Sequence, residues 1–493
     1  MKTLSTDVAI IGSGTAGMGA FRAAREHTKN VVIIESGPYG TTCARVGCMP
    51  SKLLIAAAEA AHRAQVAPIF GVHPGTVRID GNEVMQRVRD ERDRFVGFVI
   101  DTVDDWPAEA KLHGRAKFIA PGKLKITGES GDGGGDIELA ASRVVIATGS
   151  SPFVPEGWRK TLGDRLATND DVFYWQTLPQ SAAVIGGGVI ALELAQALTR
   201  LGVRIKVLTR KGRLGPLTDP DLAKKTAEIM SAELTVSPDA DDIRVSRTGL
   251  GGGEEVEVRW WDAGIEHCDR FETVIVAAGR QPQLDLDLAA AGIDLGVRGI
   301  PHFDRETGQV GPASENRPIF IAGDVTNAHP LLHEAADDGR IAGDNAGRYP
   351  DVRVHPRRTP LAVVFTDPQL MIAGASHRVL CKAGTEFETG EASFEDQGRS
   401  RVMAQNAGMI HVYGAHHTGR FLGAEMIGPS AEHIGHLLSW AVQQQMTVQQ
   451  MLDSPFYHPV VEEGVRAALR DLNRKLRLGP PPVKRSMDCG PGA

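Results

Sequence analysis

The chain has 493 residues, 42% of them hydrophobic and 23% charged, with a formal net charge of -7. That length and apolar content allow several domains with separate cores, while the mild charge and the lack of a long basic block exclude an extended nucleic-acid surface and a polybasic membrane patch. No apolar run reaches the ~18 residues of a transmembrane helix, and Met1 to Gly12 lacks the basic, apolar and small-residue order of a signal peptide. A cytoplasmic protein without a membrane or nucleic-acid partner is expected. Its five cysteines, at positions 43, 48, 268, 381 and 489, are odd in number and scattered, unlike a secreted disulfide framework.

Near the amino terminus, Val8-Ala9-Ile10-Ile11 reads as a buried strand, Gly12-Ser13-Gly14-Thr15-Ala16-Gly17 as a glycine turn, and the Ala/Arg-rich stretch after it as a helix. Val31-Val32-Ile33-Ile34 forms the next strand and ends in Glu35. Gly12 permits the tight turn, Gly14 lets backbone approach a pyrophosphate, and Gly17 lets helix and strand pack closely. The helix amino end offers N–H groups and a positive dipole to phosphate, and Glu35 can accept hydrogen bonds from a ribose with a free 2′-hydroxyl. Eight residues beyond Glu35 begins Cys43-Ala44-Arg45-Val46-Gly47-Cys48-Met49-Pro50-Ser51-Lys52. Two thiols in a reducing compartment are catalytic or metal-binding; zinc sites use a second cysteine pair or two histidines, and no second pair exists, so redox chemistry is favoured and no metal is expected.

Glycine-rich segments at 128–136 and 249–253 read as hairpin turns between short strands. Val145-Ile146-Ala147-Thr148-Gly149 and Val274-Ile275-Val276-Ala277-Ala278-Gly279-Arg280 read as strand-to-turn signals. Between them the nucleotide pattern recurs as Ala183-Val184-Ile185-Gly186-Gly187-Gly188, with Ala191 in the third glycine position, Glu193 on the following helix, and Val203 to Leu208 as second strand. At the place of the acid stands Thr209-Arg210-Lys211-Gly212-Arg213. A guanidinium binds the 2′-phosphate that a carboxylate would repel, so NADP is favoured, with NAD still compatible.

These two fingerprints, the Cys43-x4-Cys48-x-Pro50-Ser51-Lys52 segment, Ile319-Phe320-Ile321-Ala322-Gly323-Asp324 and His458-Pro459-Val460-Val461-Glu462-Glu463 stand in one order along the chain. That order resembles the two-cysteine flavoprotein (pyridine nucleotide) disulfide oxidoreductases, a family that includes lipoamide dehydrogenase, glutathione reductase, mercuric reductase and soluble transhydrogenase. The resemblance covers nearly the whole chain and implies an α/β architecture of two doubly wound Rossmann-like domains plus a carboxy-terminal α/β dimerisation domain. It implies FAD binding by residues 1–150 and 280–349, NAD(P) binding by 151–279, an interface domain over 350–478, and a disordered Pro/Gly-rich tail over 479–493. Cys489 in that tail is single and reads as incidental.

By the same resemblance Cys43 is the outer interchange thiol, Cys48 the inner thiol against the flavin, and the two form a redox disulfide. His458 shuttles the thiol proton, Glu463 orients it, and the histidine comes from the partner subunit of a homodimer. Lys52 and Glu193 resemble an ion pair near the flavin N5 and nicotinamide; Asp324, after Gly323, resembles the ribityl-binding aspartate. Thr148 and Gly149 are expected at FAD, and Gly186, Gly188, Thr209, Arg210, Lys211 and Gly279 at NAD(P). The implied activity is dihydrolipoyl dehydrogenase, oxidising a lipoyl dithiol, free or carried on a protein; a glutathione reductase-like enzyme and a flavin-binding redox sensor or scaffold are the alternatives. Leu331-Leu332-His333-Glu334-Ala335 is closest to the lipoamide dehydrogenase version of that segment. Four positions depart from the family: Thr41 for glycine, Arg45 for asparagine, Glu334 for lysine and Gln369 for glutamate. Arg45 is expected to lower a thiol pKa and to attract an anionic substrate.

Overall fold

The computed structural model describes residues 2–128, 135–248, 255–296, 298–315 and 317–478. The 479–493 tail and the tips of both glycine-rich turns lie outside the described residues; the strands flanking the turns, Lys123–Thr127 with Ile137–Ile146 and Asp241–Thr248 with Glu255–Asp262, pair antiparallel.

The first sheet has a parallel core of Lys111–His113, Val31–Glu35, Lys2–Ile11, Ile137–Ile146 and Ile319–Ile321. Val8 to Ile11 is buried throughout, as an apolar run needs when both faces of its strand are covered. Helices Thr15–Ala24 and Leu332–Arg348 cover one face. They approach closely: a Cβ on Gly339 would collide with the Ala16 carbonyl, and one on Gly343 with the backbone of Ala20. The other face carries the strands Arg115–Ala120 and Lys123–Thr127 and the turn Leu288–Ala291 rather than helices. Strand Ile137–Ile146 divides its free edge between two partners, pairing Lys123–Ile126 through its first half and Ile319–Ile321 through its last three residues.

The second sheet is parallel throughout, in the order Val236–Ser237, Arg204–Leu208, Ser181–Ile185, Thr273–Val276, Leu166–Thr168. Helix Val189–Arg200 packs on one face together with helix Cys48–Val66 from the first unit, and a three-stranded antiparallel sheet packs on the other. Ser150–Pro152 and Arg280–Pro282 pair antiparallel where the chain leaves and re-enters the first unit. Arg280 fastens this crossing, donating to the Ser150 carbonyl (2.7 Å), the Ser150 Oγ (2.9 Å) and Asp170 (3.2 Å).

Residues beyond 360 form an antiparallel sheet in the order Leu361–Val364, Gln369–Gly374, Phe421–Gly428, Met409–Ala415, Phe387–Ser393. Helices Ala431–Gln443 and Glu463–Leu476 cover one face, and helix Pro220–Glu233 of the second unit rests against the other. At that joint the buried Glu425 carboxylate accepts from the N–H groups of Thr218 (2.5 Å), Asp219 (3.1 Å) and His377 (2.8 Å) and from the Thr218 hydroxyl (2.6 Å). Beside it Asp219 accepts from His411 (2.8 Å) and Tyr413 (3.2 Å). No helix among the described residues is long and apolar enough to cross a membrane.

Candidate active site

The first glycine turn opens on a cleft of about 1090 Å³, counting the solvent at its mouth, lined by Gly12, Gly14, Glu35, Arg45, Thr148 and Gly149 among others. Gly12 lies at φ +102°, where a Cβ would strike the Ala147 carbonyl, and Gly17 faces the Gly12 carbonyl as closely. Gly14 caps helix Thr15–Ala24, and a Cβ there would meet nothing within 4 Å, so what its absence leaves free is the cleft itself. Open space beside a helix amino end with free N–H groups fits a dinucleotide diphosphate. Glu35 accepts from Ser13 N (2.8 Å), Ser13 Oγ (2.7 Å) and Gly37 N (2.8 Å), which fixes its carboxylate at the rim. Gly323, at φ +81°, turns the chain into Asp324, whose carboxylate accepts from Ser150 (3.0 Å).

Cys43 sits on the short helix Thr42–Val46, and Cys48 is the first residue of helix Cys48–Val66. Both are free thiols within hydrogen-bond reach of each other. The bond from Cys43 holds the Cys48 thiol down at about 7, against partial burial, with the Lys52 ammonium adding to the effect. The same bond, with burial, pushes Cys43 up. The pair therefore sheds one proton near neutrality and carries the charge on Cys48.

Arg45 is not among the leading influences on either thiol, where its place between them led it to be expected. Two helical residues separated by one other point about 200° apart. Cys43 faces Cys48, while Arg45 faces the nucleotide cleft and donates to the Pro38 carbonyl at 3.4 Å. Lys52, one turn into the helix that Cys48 opens, is the cation that acts on the thiol.

Lys52 Nζ binds both oxygens of Glu193, at 3.0 and 2.8 Å, and lies 4.5 Å from the centre of the Phe365 ring. Glu193 is buried, and its Oε1 also accepts from the Phe365 N–H at 2.9 Å. Three separate stretches of chain thus meet at one ion pair. Phe365 is a participant that sequence reasoning passed over, because its backbone N–H rather than its side chain makes the bond.

In the second glycine turn, Gly186 stands at φ +130° against the Ala277 carbonyl, and Gly188 caps helix Val189–Arg200 with nothing within 4 Å of its Cβ position. Gly279, at φ +123°, also has open space on its Cβ side. Thr209 turns inward: it is buried and donates to the Arg213 carbonyl (3.1 Å), so it braces the turn and does not reach outward for a ligand. Arg210, Lys211 and Arg213 are exposed and, among the described residues, none is recorded in an ion pair.

His458 and Glu463 lie on the carboxy-terminal unit. Nδ1 of His458 meets the Glu463 oxygens at 3.0 and 3.1 Å; Glu463 is buried at the start of helix Glu463–Leu476 and also pairs with Arg466 (3.5 Å). The imidazole is about half exposed, at 55% of its side chain. The structure joins the two cysteines, Lys52 and Glu193 in one cluster and His458 with Glu463 in another, with no hydrogen bond or ion pair between the clusters among the described residues.

The remaining departures have local accounts. Glu334 pairs with Arg357 (2.9 Å) and Arg305 (3.2 Å), and Gln369 exchanges hydrogen bonds with Glu432 across the start of helix Ala431–Gln443. Thr41 takes φ +53°, a region in which a β-branched residue is an outlier; its hydroxyl accepts from Ala44 N (3.2 Å) and caps the helix that carries Cys43.

The sequence matches the family described as pyridine nucleotide-disulphide oxidoreductase over residues 6–339, and that family's dimerisation domain over 361–469. The dihydrolipoyl dehydrogenase of Bacillus subtilis is 28% identical over 478 residues, which span 94% of this chain and 97% of that protein. The mercuric reductase of Shigella flexneri is 30% identical, over 95% of this chain and 81% of its own. Among solved structures, LpdA from Mycobacterium tuberculosis superposes with a TM-score of 0.78 at 25% identity, covering 94% of this chain and 99% of that one. The HOCl-induced flavoprotein disulfide reductase RclA from Escherichia coli shares the fold, with a TM-score of 0.76 at 22% identity and coverage of 96% and 100%. Glycine turns, dithiol and carboxy-terminal sheet converge with these matches: the chain belongs to the pyridine nucleotide-disulphide oxidoreductase family, as a flavoprotein enzyme of that class.

Proposed function

We propose that this flavoprotein is a dihydrolipoyl dehydrogenase-like dithiol oxidoreductase that works as a homodimer and prefers NADP over NAD. The observation that carries the reading is the Cys43–Cys48 thiol pair, with its proton shared and its charge held beside Lys52. Gly12, Gly14, Glu35, Thr148, Gly149, Gly323 and Asp324 are the residues that would hold FAD, which when bound supplies a two-electron carrier between dithiol and nicotinamide. The chain crossings support domain boundaries near residues 150 and 280.

In the oxidised enzyme a lipoyl thiolate attacks Cys43 Sγ, the bond to Cys48 breaks, and Cys48 departs as a thiolate stabilised by Lys52. His458 of a second copy of the chain holds the substrate's proton at Nε2, because Glu463 occupies Nδ1. The second lipoyl S–H then gives its proton to the departing Cys43 sulfur as its own sulfur attacks the substrate sulfur of the mixed disulfide, releasing Cys43 as a thiol and closing the lipoyl ring. Two substrate S–H groups are oxidised to one disulfide, and the enzyme disulfide is reduced to the thiol pair. The separation of His458 from the thiols within one chain supports completion of the site by a second copy.

A second reading, an NADPH-dependent glutathione reductase-like enzyme, draws on the exposed cations Arg210, Lys211 and Arg213. Steady-state assays with dihydrolipoamide and NAD+ or NADP+, against oxidised glutathione with NADPH, separate the two. Dihydrolipoamide turnover should exceed glutathione turnover; the reverse order assigns the second reading.

A further inference from the structure

Four charged residues line the dinucleotide cleft: Glu35, Arg45, Arg115 and Asp285. Three have partners. Glu35 takes the Ser13 and Gly37 donors, and Arg115 shares Asp285, at 3.4 Å, with Lys117 at 3.0 Å. Arg45 is recorded with no carboxylate among the described residues, and the one hydrogen bond of its side chain runs to the Pro38 carbonyl at the long distance of 3.4 Å. Arg45 therefore adds a full positive charge without a carboxylate partner to the partial charge of the helix amino end at Gly14.

The local backbone is shaped for this side chain. Gly40 lies at φ +123°, and a Cβ there would come within 2.9 Å of Arg45 Cδ and 3.1 Å of Cγ, so glycine leaves the lane along which the Arg45 stem runs. The helix Thr42–Val46 turns Cys43 toward Cys48 and Arg45 to the opposite side, into the cleft that Gly12, Gly14, Thr41 and Thr42 also line. A guanidinium in that cleft meets phosphate oxygens with a planar fork of donors, which the glycine-turn N–H groups complement but cannot replace in charge.

Building on the FAD-dependent reading above, we propose that Arg45 is a cofactor-binding residue that pairs with the diphosphate of the bound dinucleotide, and that its site between the redox cysteines serves the cofactor rather than the substrate. The helix carrying Cys43 is then anchored through Arg45 when the cofactor is in place.

The test is flavin release from purified holoenzyme, followed by the rise in free-flavin fluorescence after dilution over a series of KCl concentrations. Arg45→Gln should release flavin about tenfold faster than the parent, as loss of one charge-assisted pair implies, and its release should respond less to salt. Arg45→Lys should recover most of the salt response. Arg259→Gln, measured beside them, should leave that response as in the parent, since Arg259 stands on the antiparallel sheet of the second unit and pairs with Glu257 at 2.8 Å. A parent that holds flavin while Arg45→Gln releases it at the parental rate with the parental salt response overturns this inference alone. A parent purified without flavin under any condition overturns the FAD reading itself. Circular dichroism at 222 nm identifies a misfolded variant; in that event the Arg45→Lys salt response, compared with the parent's, decides.

Discussion

Cys48 and Lys52 are one helical turn apart on the helix Cys48–Val66, and that spacing sets how the thiol titrates. In the reduced enzyme, the pH profile of Cys48 alkylation should have its midpoint at about 7. Lys52→Met should raise that midpoint by roughly one unit, since Glu193 is then left as the neighbouring charge; an unmoved midpoint removes Lys52 from the account. Cys48→Ser should abolish lipoamide turnover while slow dye reduction persists, and unchanged lipoamide turnover would contradict the assignment. For the coenzyme, Arg210→Glu should lower the NADPH-to-NADH ratio of kcat/KM about tenfold or more, the worth of one charge-assisted bond; a parent that favours NADH refutes the preference. Spacing brought Cys43 and Cys48 forward, and the family resemblance Lys52 and Glu193, because family motifs record positions along a strand-turn-helix frame. It was silent on direction. Arg45 lies between the thiols in sequence and away from them in space, and Thr41 hides a φ that only the folded turn displays.

At the scale of elements, glycines separate packing from binding. Gly339 presses on Ala16 across two helices, so Gly339→Val should overpack the contact and cost roughly 1–3 kcal/mol, read as a lower Tm with and without added flavin. Gly14 faces open space, so Gly14→Ala should leave the Tm without added flavin unchanged while weakening flavin retention. Equal behaviour of the two variants would sink this division. Strand-glycine-helix order was readable at both turns because apolar runs and glycines mark it locally. The outer layers were less so: the face opposite helix Thr15–Ala24 carries antiparallel strands, whose alternating residues, such as Phe118, Leu124 and Ile126, pack from far along the chain.

Across the whole molecule, buried carboxylates tie distant segments. Glu425→Ala would strip a partner from three N–H groups at the joint between the second unit and the carboxy-terminal sheet, at a cost of roughly 3 kcal/mol or more; calorimetry should register it as a lower transition temperature. Asp344 shows the acid side. Burial works against its charge, yet hydrogen bonds from Arg348 and His27 hold it at about 2. A depressed carboxyl contributes stability that is complete above its unfolded value of roughly 3.9 and lost as the pH falls through the folded value. Stability should therefore decline between those two values, and Asp344→Asn should flatten that part of the profile. Helical i,i+4 spacing offers the Asp344–Arg348 pair, but no short-range pattern announces His27, 317 positions from Asp344, or the Glu425 joint.

The divided edge of strand Ile137–Ile146 has a consequence for biosynthesis. Its last three residues wait for Ile319–Ile321, so the first sheet stays one strand short while everything between is made. At about 5–20 residues per second, that wait lasts on the order of ten seconds or more. The second sheet, built wholly from residues 166–276, can close while the nascent chain is still on the ribosome. Gly323, which closes against Ala16 beside the first glycine turn, arrives only afterwards, so the first unit is completed after the second sheet and before the carboxy-terminal sheet.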